Sequence, residues 1–228
     1  MKIISKSALA AGLAMTAVIA SVPAPVAAQV NGMATSNPTM AILRAAARTN
    51  AYQQINTTYA ANIQQVNQLN TEITNLQISL DTNKDNQLSD AEITANPTVV
   101  QQIQAKEQQA ATATQPIAMA QYYAIEQLMN DYVNARNQVL ASKKVTVLIA
   151  PDAIQYAPDG FDITTDIVAA IDSRLPSVTT TVPAGWQPRR QTVEMHQAIQ
   201  QILVVAAQQA AARQAQQQQQ GAQAPAGR

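Results

Sequence analysis

Between Tyr52 and Leu80 the apolar positions Tyr52, Ile55, Tyr59, Val66, Leu69, Ile73, Leu76 and Leu80 recur at alternating spacings of three and four, with only Asn62 out of line. That period keeps one narrow stripe facing one neighbour, so the segment predicts a helix with a coiled-coil seam that needs a partner along its length. Asn37-Pro38 reads as the helix start. Asn accepts a hydrogen bond from an early backbone N–H, and Pro at the first helical position loses nothing by lacking its own. From Thr39 to Leu80 there is no Pro or Gly, which predicts a single rod from near Asn37 to Asp81, on the order of 65 Å long at 1.5 Å per residue.

The chain breaks at residues 81–96, and Asn96-Pro97 repeats the start signal. Val100, Ile103, Ala110, Ile117, Tyr122, Ile125, Met129, Tyr132 and Val139 then give a second long helix, less regular than the first. Pro116 lies inside it and predicts a kink, because apolar periodicity resumes at once. Two helices of nearly equal length with one break between them predict an antiparallel hairpin with its tip near residues 81–96.

The flanks of the hairpin have a different pattern. Val30 to Thr35 reads as a short strand that Gly32 weakens, and Val145 to Ala150, continuous and β-branched, reads as a buried strand. Pro151-Asp152 and Pro158-Asp159-Gly160 turn the chain on either side of Ile154 to Ala157, a candidate strand that pairs back. Asp162 is positioned to cap a helix from Ile163 to about Leu175 that buries Ile163, Ile167, Ala170 and Ile171. The strands before and after the hairpin should therefore lie side by side at its base. Farther on, Gln191 to Arg213 predicts an amphipathic helix using Met195, Ile199, Ile202, Leu203 and Ala206, and Gln214 to Arg228 reads as disordered low-complexity sequence.

Composition narrows the class. The 228 residues are 47% hydrophobic but only 4% aromatic and 12% charged, which suits elongated helices with small seam residues better than an enzyme built around one large core. There is no cysteine, hence no disulfide or thiolate chemistry. Lys2 and Lys6, the apolar run Ala8 to Ala20 and the small residues Val26-Ala27-Ala28 form a signal peptide over residues 1–28, with cleavage near Ala28/Gln29. Export of a cysteine-free chain with no second stretch long enough to span a bilayer points to the periplasm. Without the two signal lysines, 12 basic residues face 14 acidic ones, a balance unlike that of a nucleic-acid binder.

Site chemistry is concentrated at the hairpin tip. Asp81, Asn83, Asp85, Gln87, Ser89 and Glu92 fall on positions 1, 3, 5, 7, 9 and 12 of an EF-hand loop, with Leu88 at the apolar position 8. Calcium takes several hard oxygens on a flexible loop plus one bidentate carboxylate, which this spacing can supply. Asn86 stands where an EF-hand has Gly, and Pro97 shortens the exiting helix. The same residues also make turns and a Ser89–Glu92 capping box without any metal. The lone His196 reads as a solvated helix position, Trp186 as an anchor on the body or a contact for a bound chain, and the arm tyrosines Tyr52, Tyr59, Tyr122 and Tyr132 as seam packing.

The signal peptide, short strand, long helical hairpin, the strand Val145–Ala150, Asp152-Ala153 with Tyr156, and Asp162-Ile163-Thr164 with Asp166 opening a last helix together resemble the periplasmic outer-membrane-protein chaperone family, Skp or OmpH-like. The resemblance spans about Val30 to Val178. It implies a mainly α fold with a small β body: residues 29–36 and 143–178 form a trimerisation body, residues 37–142 a coiled-coil arm, and residues 179–228 a C-terminal extension. It also implies a homotrimer that holds unfolded outer-membrane β-barrel proteins without ATP and requires no cofactor, calcium being the one candidate ion. The arm departs from the family in carrying few basic residues, namely Arg44, Arg48, Lys84, Lys106 and Arg136. The alternative is a non-enzymatic envelope adaptor whose arms bind one folded partner. An enzyme is not expected, because no nucleophile–base pair, phosphate loop or catalytic metal cluster is visible.

Overall fold

A computed structural model of the chain describes residues 32–222. The predicted signal peptide, and the start of the strand predicted from Val30, lie outside the described residues.

The chain enters through β1 (Met33–Thr35). Where the sequence predicts one rod there are three helices, α1 (Pro38–Arg44), α2 (Ala46–Thr58) and α3 (Ala60–Leu80). Asn37 caps α1 as expected, its side chain accepting from the Met40 N–H at 3.0 Å. The first break is at Ala45, which is fully buried and extended at φ −56°, ψ 130°. The N–H of Ala46, orphaned at the start of α2, is taken by the Asp172 carboxylate at 2.8 Å. A residue 126 positions away thus performs the capping that no local side chain supplies. The second break, at Tyr59, is gentler, since the backbone bonds Tyr59 N–H to Ile55 O and Ile63 N–H to Tyr59 O continue across it.

A short helix α4 (Asp90–Ala95) leads into α5 (Pro97–Ser142), which runs 46 residues through Pro116 without ending. Cross-links between Asn62 and Ala113 and between Glu72 and Lys106 show that α3 and α5 run antiparallel. Every residue of the predicted seam is buried or half-buried, with Ile55, Leu69 and Leu80 buried. Asn62, the one interruption, donates its amide to the Ala113 carbonyl at 3.3 Å. That carbonyl lies one turn before Pro116, where proline loosens the backbone ladder.

Two residues in the left-handed or bridge region, Lys143 and Lys144 (φ 56° at the latter), turn the chain from α5 into β2 (Val147–Ile149). β2 pairs parallel with β1 in the register Met33↔Val147, Ala34↔Leu148, Thr35↔Ile149, which brings the two ends of the arm together as predicted. Gly32 makes the close approach possible: at φ +76° its carbonyl accepts from the N–H groups of Thr146 and Val147, and a Cβ there would lie 2.8 Å from the Thr146 hydroxyl. β2 is not the buried strand that its composition predicts. Val147 is 49% and Leu148 36% exposed: the core takes in Ala34 of β1, but among the described residues nothing covers β2, the outer strand. Ile154 to Ala157 does not pair back either. Pro151–Ala153 forms a single 3₁₀ turn, and the chain returns to the sheet only at Phe161–Ile163, which bonds to the free edge of β1 at Thr35.

Helix α6 (Thr164–Arg174) follows, its first N–H held by Asp162 at 2.8 Å. Ile163, Ile167, Ala170 and Ile171 are buried, the face that the sequence predicts. They join Ile42, Ile125 and Leu128 in one core at the base of the arm. The last helix, α7 (Arg190–Ala222), adds Ile199 to that core. It continues beyond Arg213 to Ala222, into the stretch expected to be disordered, since Ala and Gln favour helix and no Pro intervenes before its end; residues 223–228 of that stretch lie outside the described residues.

Candidate functional site

At the arm tip the structure gathers the predicted loop residues into two hydrogen-bonded knots. In the first, Asp81 accepts from the N–H groups of Asp85 (3.2 Å) and Asn86 (2.9 Å), Asn83 accepts from Asp85 N–H (3.0 Å), and Asp85 accepts from Gln87 N–H (2.8 Å). These side-chain-to-backbone bonds wind the loop tightly and hold Lys84 and Asn86 both at φ 61°. Asn86 sits in the left-handed region that its place in the loop pattern requires, a conformation Asn tolerates better than most residues.

The second knot is centred on Glu92, 8% exposed. One carboxylate oxygen accepts from the N–H and hydroxyl of Thr82 (2.8 and 2.9 Å) and the N–H of Asn83 (3.3 Å). The other accepts from the N–H and hydroxyl of Ser89 (3.0 and 2.8 Å), while Ser89 caps α4 in return. The backbone N–H of Ser89, then its hydroxyl and that of Thr82, hold the Glu92 carboxyl down to about 2. This is the metal-free capping box, extended to staple the start of the loop to its end. Among the described residues no group of three or more His, Cys, Asp or Glu side chains converges as a metal cluster, so a calcium ion at this loop would have to draw Glu92 away from these donors.

A second constellation, not singled out in the sequence, lies lower on the arm where α5 packs against α2 and against α7. Arg48 is only 8% exposed, with its guanidinium 4.2 Å over the Tyr52 ring. Neither its Nε nor the Tyr52 hydroxyl has a hydrogen-bond partner. Burial drives the Tyr52 hydroxyl's pKa up, against the lowering effect of Arg48. His196 is not a solvated residue. Its ring is half-buried, meets Tyr122 edge-on at 4.9 Å and bonds Gln121 at 3.1 Å. Trp186 anchors the connection to α7 by an edge contact with Tyr123 at 5.0 Å. Tertiary packing by the C-terminal extension, invisible to local periodicity, makes this cluster.

The third feature is the sheet. Neighbouring residues on a strand point to opposite faces, and Val147 and Leu148 are both exposed, beside Met33 at 36%. β2 is thus uncovered on its faces and paired along one edge only. A short apolar strand left in that state is a template for pairing with another chain.

Against these features stand the comparisons with known proteins. The family model described as outer membrane protein (OmpH-like) matches residues 32–171, from the glycine before β1 to the last buried turn of α6. The chain belongs to the OmpH-like family. OmpH-like proteins are a chaperone family, and the matched span takes in the sheet, the whole arm and α6, leaving α7 outside it. The solved structure of an OmpH-like protein from Caulobacter crescentus CB15 is also similar, at 20% identity over 66% of this chain and 89% of that one, with a TM-score of 0.43. A comparison with curated protein sequences finds no match. No helix of the described residues is long and apolar enough to cross a membrane.

Proposed function

We propose that this OmpH-like protein is an ATP-independent periplasmic holdase that works as a homotrimer, keeping unfolded outer-membrane β-barrel proteins from aggregating during transit. The observation that carries the reading is the exposed outer strand at the foot of a long arm: Met33, Val147 and Leu148 are apolar and exposed on a two-stranded sheet. Two strands are too few to be stable alone, and three copies would complete a body from which three arms project. Light scattering on the mature protein, alone and after dilution of a urea-unfolded outer-membrane β-barrel protein into it, is the test. A mass near three times that of the chain, with the client kept soluble, is expected. A monomer or dimer that lets the client precipitate overturns the proposal, and one stoichiometric folded partner would identify an envelope adaptor instead.

The tip loop, on this reading, takes Ca²⁺ through Asp81, Asn83, Asp85, Gln87, Ser89 and Glu92, and the ion stiffens the arm's end. The wound loop with Asn86 left-handed supports it. Because Glu92 must leave five hydrogen bonds to reach the ion, the affinity belongs with weak extracellular sites, on the order of 10⁻⁴–10⁻³ M. Calorimetry at millimolar calcium should show heat that Glu92→Ala abolishes; no heat in the native chain sinks the site.

A further inference from the structure

The knots of the arm tip leave three large apolar side chains outside them. Ile78, in the last turn of α3, is 66% exposed, Leu88 39% and Ile93 38%. Leu88 and Ile93 flank the Ser89 cap at the positions where an apolar pair staples a helix start, so each has a local reason to be apolar. Ile78 has none, since it lies off the seam of Ile73, Leu76 and Leu80. Yet Ile78 and Leu88 line one cleft of about 380 Å³, with Gln77, Asp81 and Asn86 completing its wall. A single exposed apolar residue needs no explanation. Two that line one cleft, brought there from α3 and from the far side of the loop, call for an occupant.

The charge around the cleft says which. From Ile78 to Asn96 four carboxylates, those of Asp81, Asp85, Asp90 and Glu92, stand against one cation, Lys84. Asp81 is part of the cleft wall, and Asp85 and Asp90 are exposed. The donors that Asp81, Asp85 and Glu92 engage are neutral N–H groups, hydroxyls and an amide, which hold the carboxylates in place without cancelling their charge. Among the described residues none of the four forms an ion pair. Residues 82–91 are exposed throughout, so the cleft and its acidic rim stand open at the free end of the arm.

We propose that the arm tip docks a cationic, apolar polypeptide segment, in which one apolar side chain enters the Ile78–Leu88 cleft while a neighbouring Lys or Arg meets the carboxylates of the rim. An acidic segment is turned away by the same field, because like charges set against each other across an interface cost affinity. A second copy of the tip is turned away too, since it brings the same carboxylates. A neutral apolar segment gains only the cleft, too small an area to offset the cost of ordering it. The tip thus selects by a pattern, an apolar residue beside a cation, and not by one sequence. This goes beyond the holdase reading and does not rest on it, for the segment docks in the same way whether it belongs to an unfolded chain or to the tail of a folded one.

Fluorescence anisotropy with short labelled peptides tests it on the full mature chain, in EDTA so that calcium plays no part. One peptide carries Leu and Lys spaced by Gly and Ser, a second has Glu in place of Lys, and a third has Ser in place of Leu. The Leu–Lys peptide should bind, and bind less as salt shortens the Debye length from about 10 Å at 0.1 M towards 3 Å at 1 M. The other two should bind about tenfold more weakly or not at all. Ile78→Ser, at an exposed position off the seam, should weaken Leu–Lys binding about threefold to tenfold, whereas Leu203→Ser, exposed on α7, should leave it unchanged. Asp81→Asn should reduce the salt dependence; should it unwind the loop instead, Ile78→Ser decides, since that side chain takes no part in the loop's bonds. No binding by the native chain, equal affinity for the Lys and Glu peptides, or native affinity in Ile78→Ser each overturns the docking surface, and none of these outcomes bears on whether the chain keeps a client soluble.

Discussion

The foot of the arm and its outer half are made from the same pair of strands of sequence, yet they are held by different means. At the foot, Ile125 and Leu128 of α5 share one fully buried cluster with Ile42, Ile167, Ile171 and Ile199 from α1, α6 and α7. Farther out α5 packs mainly against α3, and the seam consists mostly of half-buried residues, with Leu69, Leu80 and Ala113 the buried exceptions. Area removed from water sets the stabilisation, so cohesion is concentrated at the foot. The outer arm keeps its shape by a narrow stripe, one cross-helix ion pair between Glu72 and Lys106, and the knots of its tip. An element built this way opens locally at little cost to the whole.

The strongest way to break this contrast is truncation on either side of it. Leu128→Ala empties a fully enclosed site and should cost about 2–5 kcal/mol of global stability in urea unfolding. Leu69→Ala, at a seam open to water on both flanks, should cost about 1.5–3 kcal/mol, and hydrogen exchange should place most of that loss in α3 and the facing part of α5. If Leu69→Ala lowered the global midpoint as much as Leu128→Ala, the arm and foot would be one cooperative unit. Asp172→Ala probes the joint between them: losing the cap on Ala46 should cost about 1 kcal/mol, seen as faster exchange of the first N–H groups of α2.

The smallest effect is expected at the tip. The folded Glu92 carboxyl lies near 2, below its ordinary 4.5. A depressed carboxyl stabilises above the unfolded value and loses that contribution as the pH drops through the folded one. Exchange at Thr82, Asn83 and Ser89 should therefore quicken between pH 4.5 and about 2 in the native chain, and Glu92→Gln should show the quickened rates already at neutral pH. No response at those three amides would detach Glu92 from the stapling of the loop.

How much of this was legible follows the same division. The outer arm is governed by local periodicity and start signals, and there the seam, the helix starts at Pro38 and Pro97 and the tip turn were readable from Tyr52, Asn37 and their neighbours, although Asn96 does not cap α5 as Asn37 caps α1: its amide donates back to the Glu92 carbonyl at 3.0 Å. The face of α6 was readable for the same reason. The break at Ala45 was not, because its cause is a carboxylate from Asp172, far along the chain. Val147 and Leu148 carry the composition of a buried strand but stand exposed in the single chain. His196 had no local mark to distinguish it from a solvated residue; its environment is assembled by Gln121 and Tyr122 of α5. Of the candidate site, the loop residues were found by spacing, whereas Arg48 would have been flagged only by noticing a cation inside an apolar helix start.

The parallel pairing of β1 with β2 also bears on how the molecule assembles in time. The hydrogen bond from Thr35 to Ile149 closes a span of 114 residues, and for a featureless chain the length-dependent part of closing such a loop is about 4 kcal/mol. A three-residue ladder is a poor return for that ordering. The hairpin changes the problem, since its helices grow from near-neighbour contacts on a fast timescale and, once zipped from the tip, deliver both strands to the same place. The sheet is then the last thing to form, and the long arm serves as its own folding guide before it serves anything else.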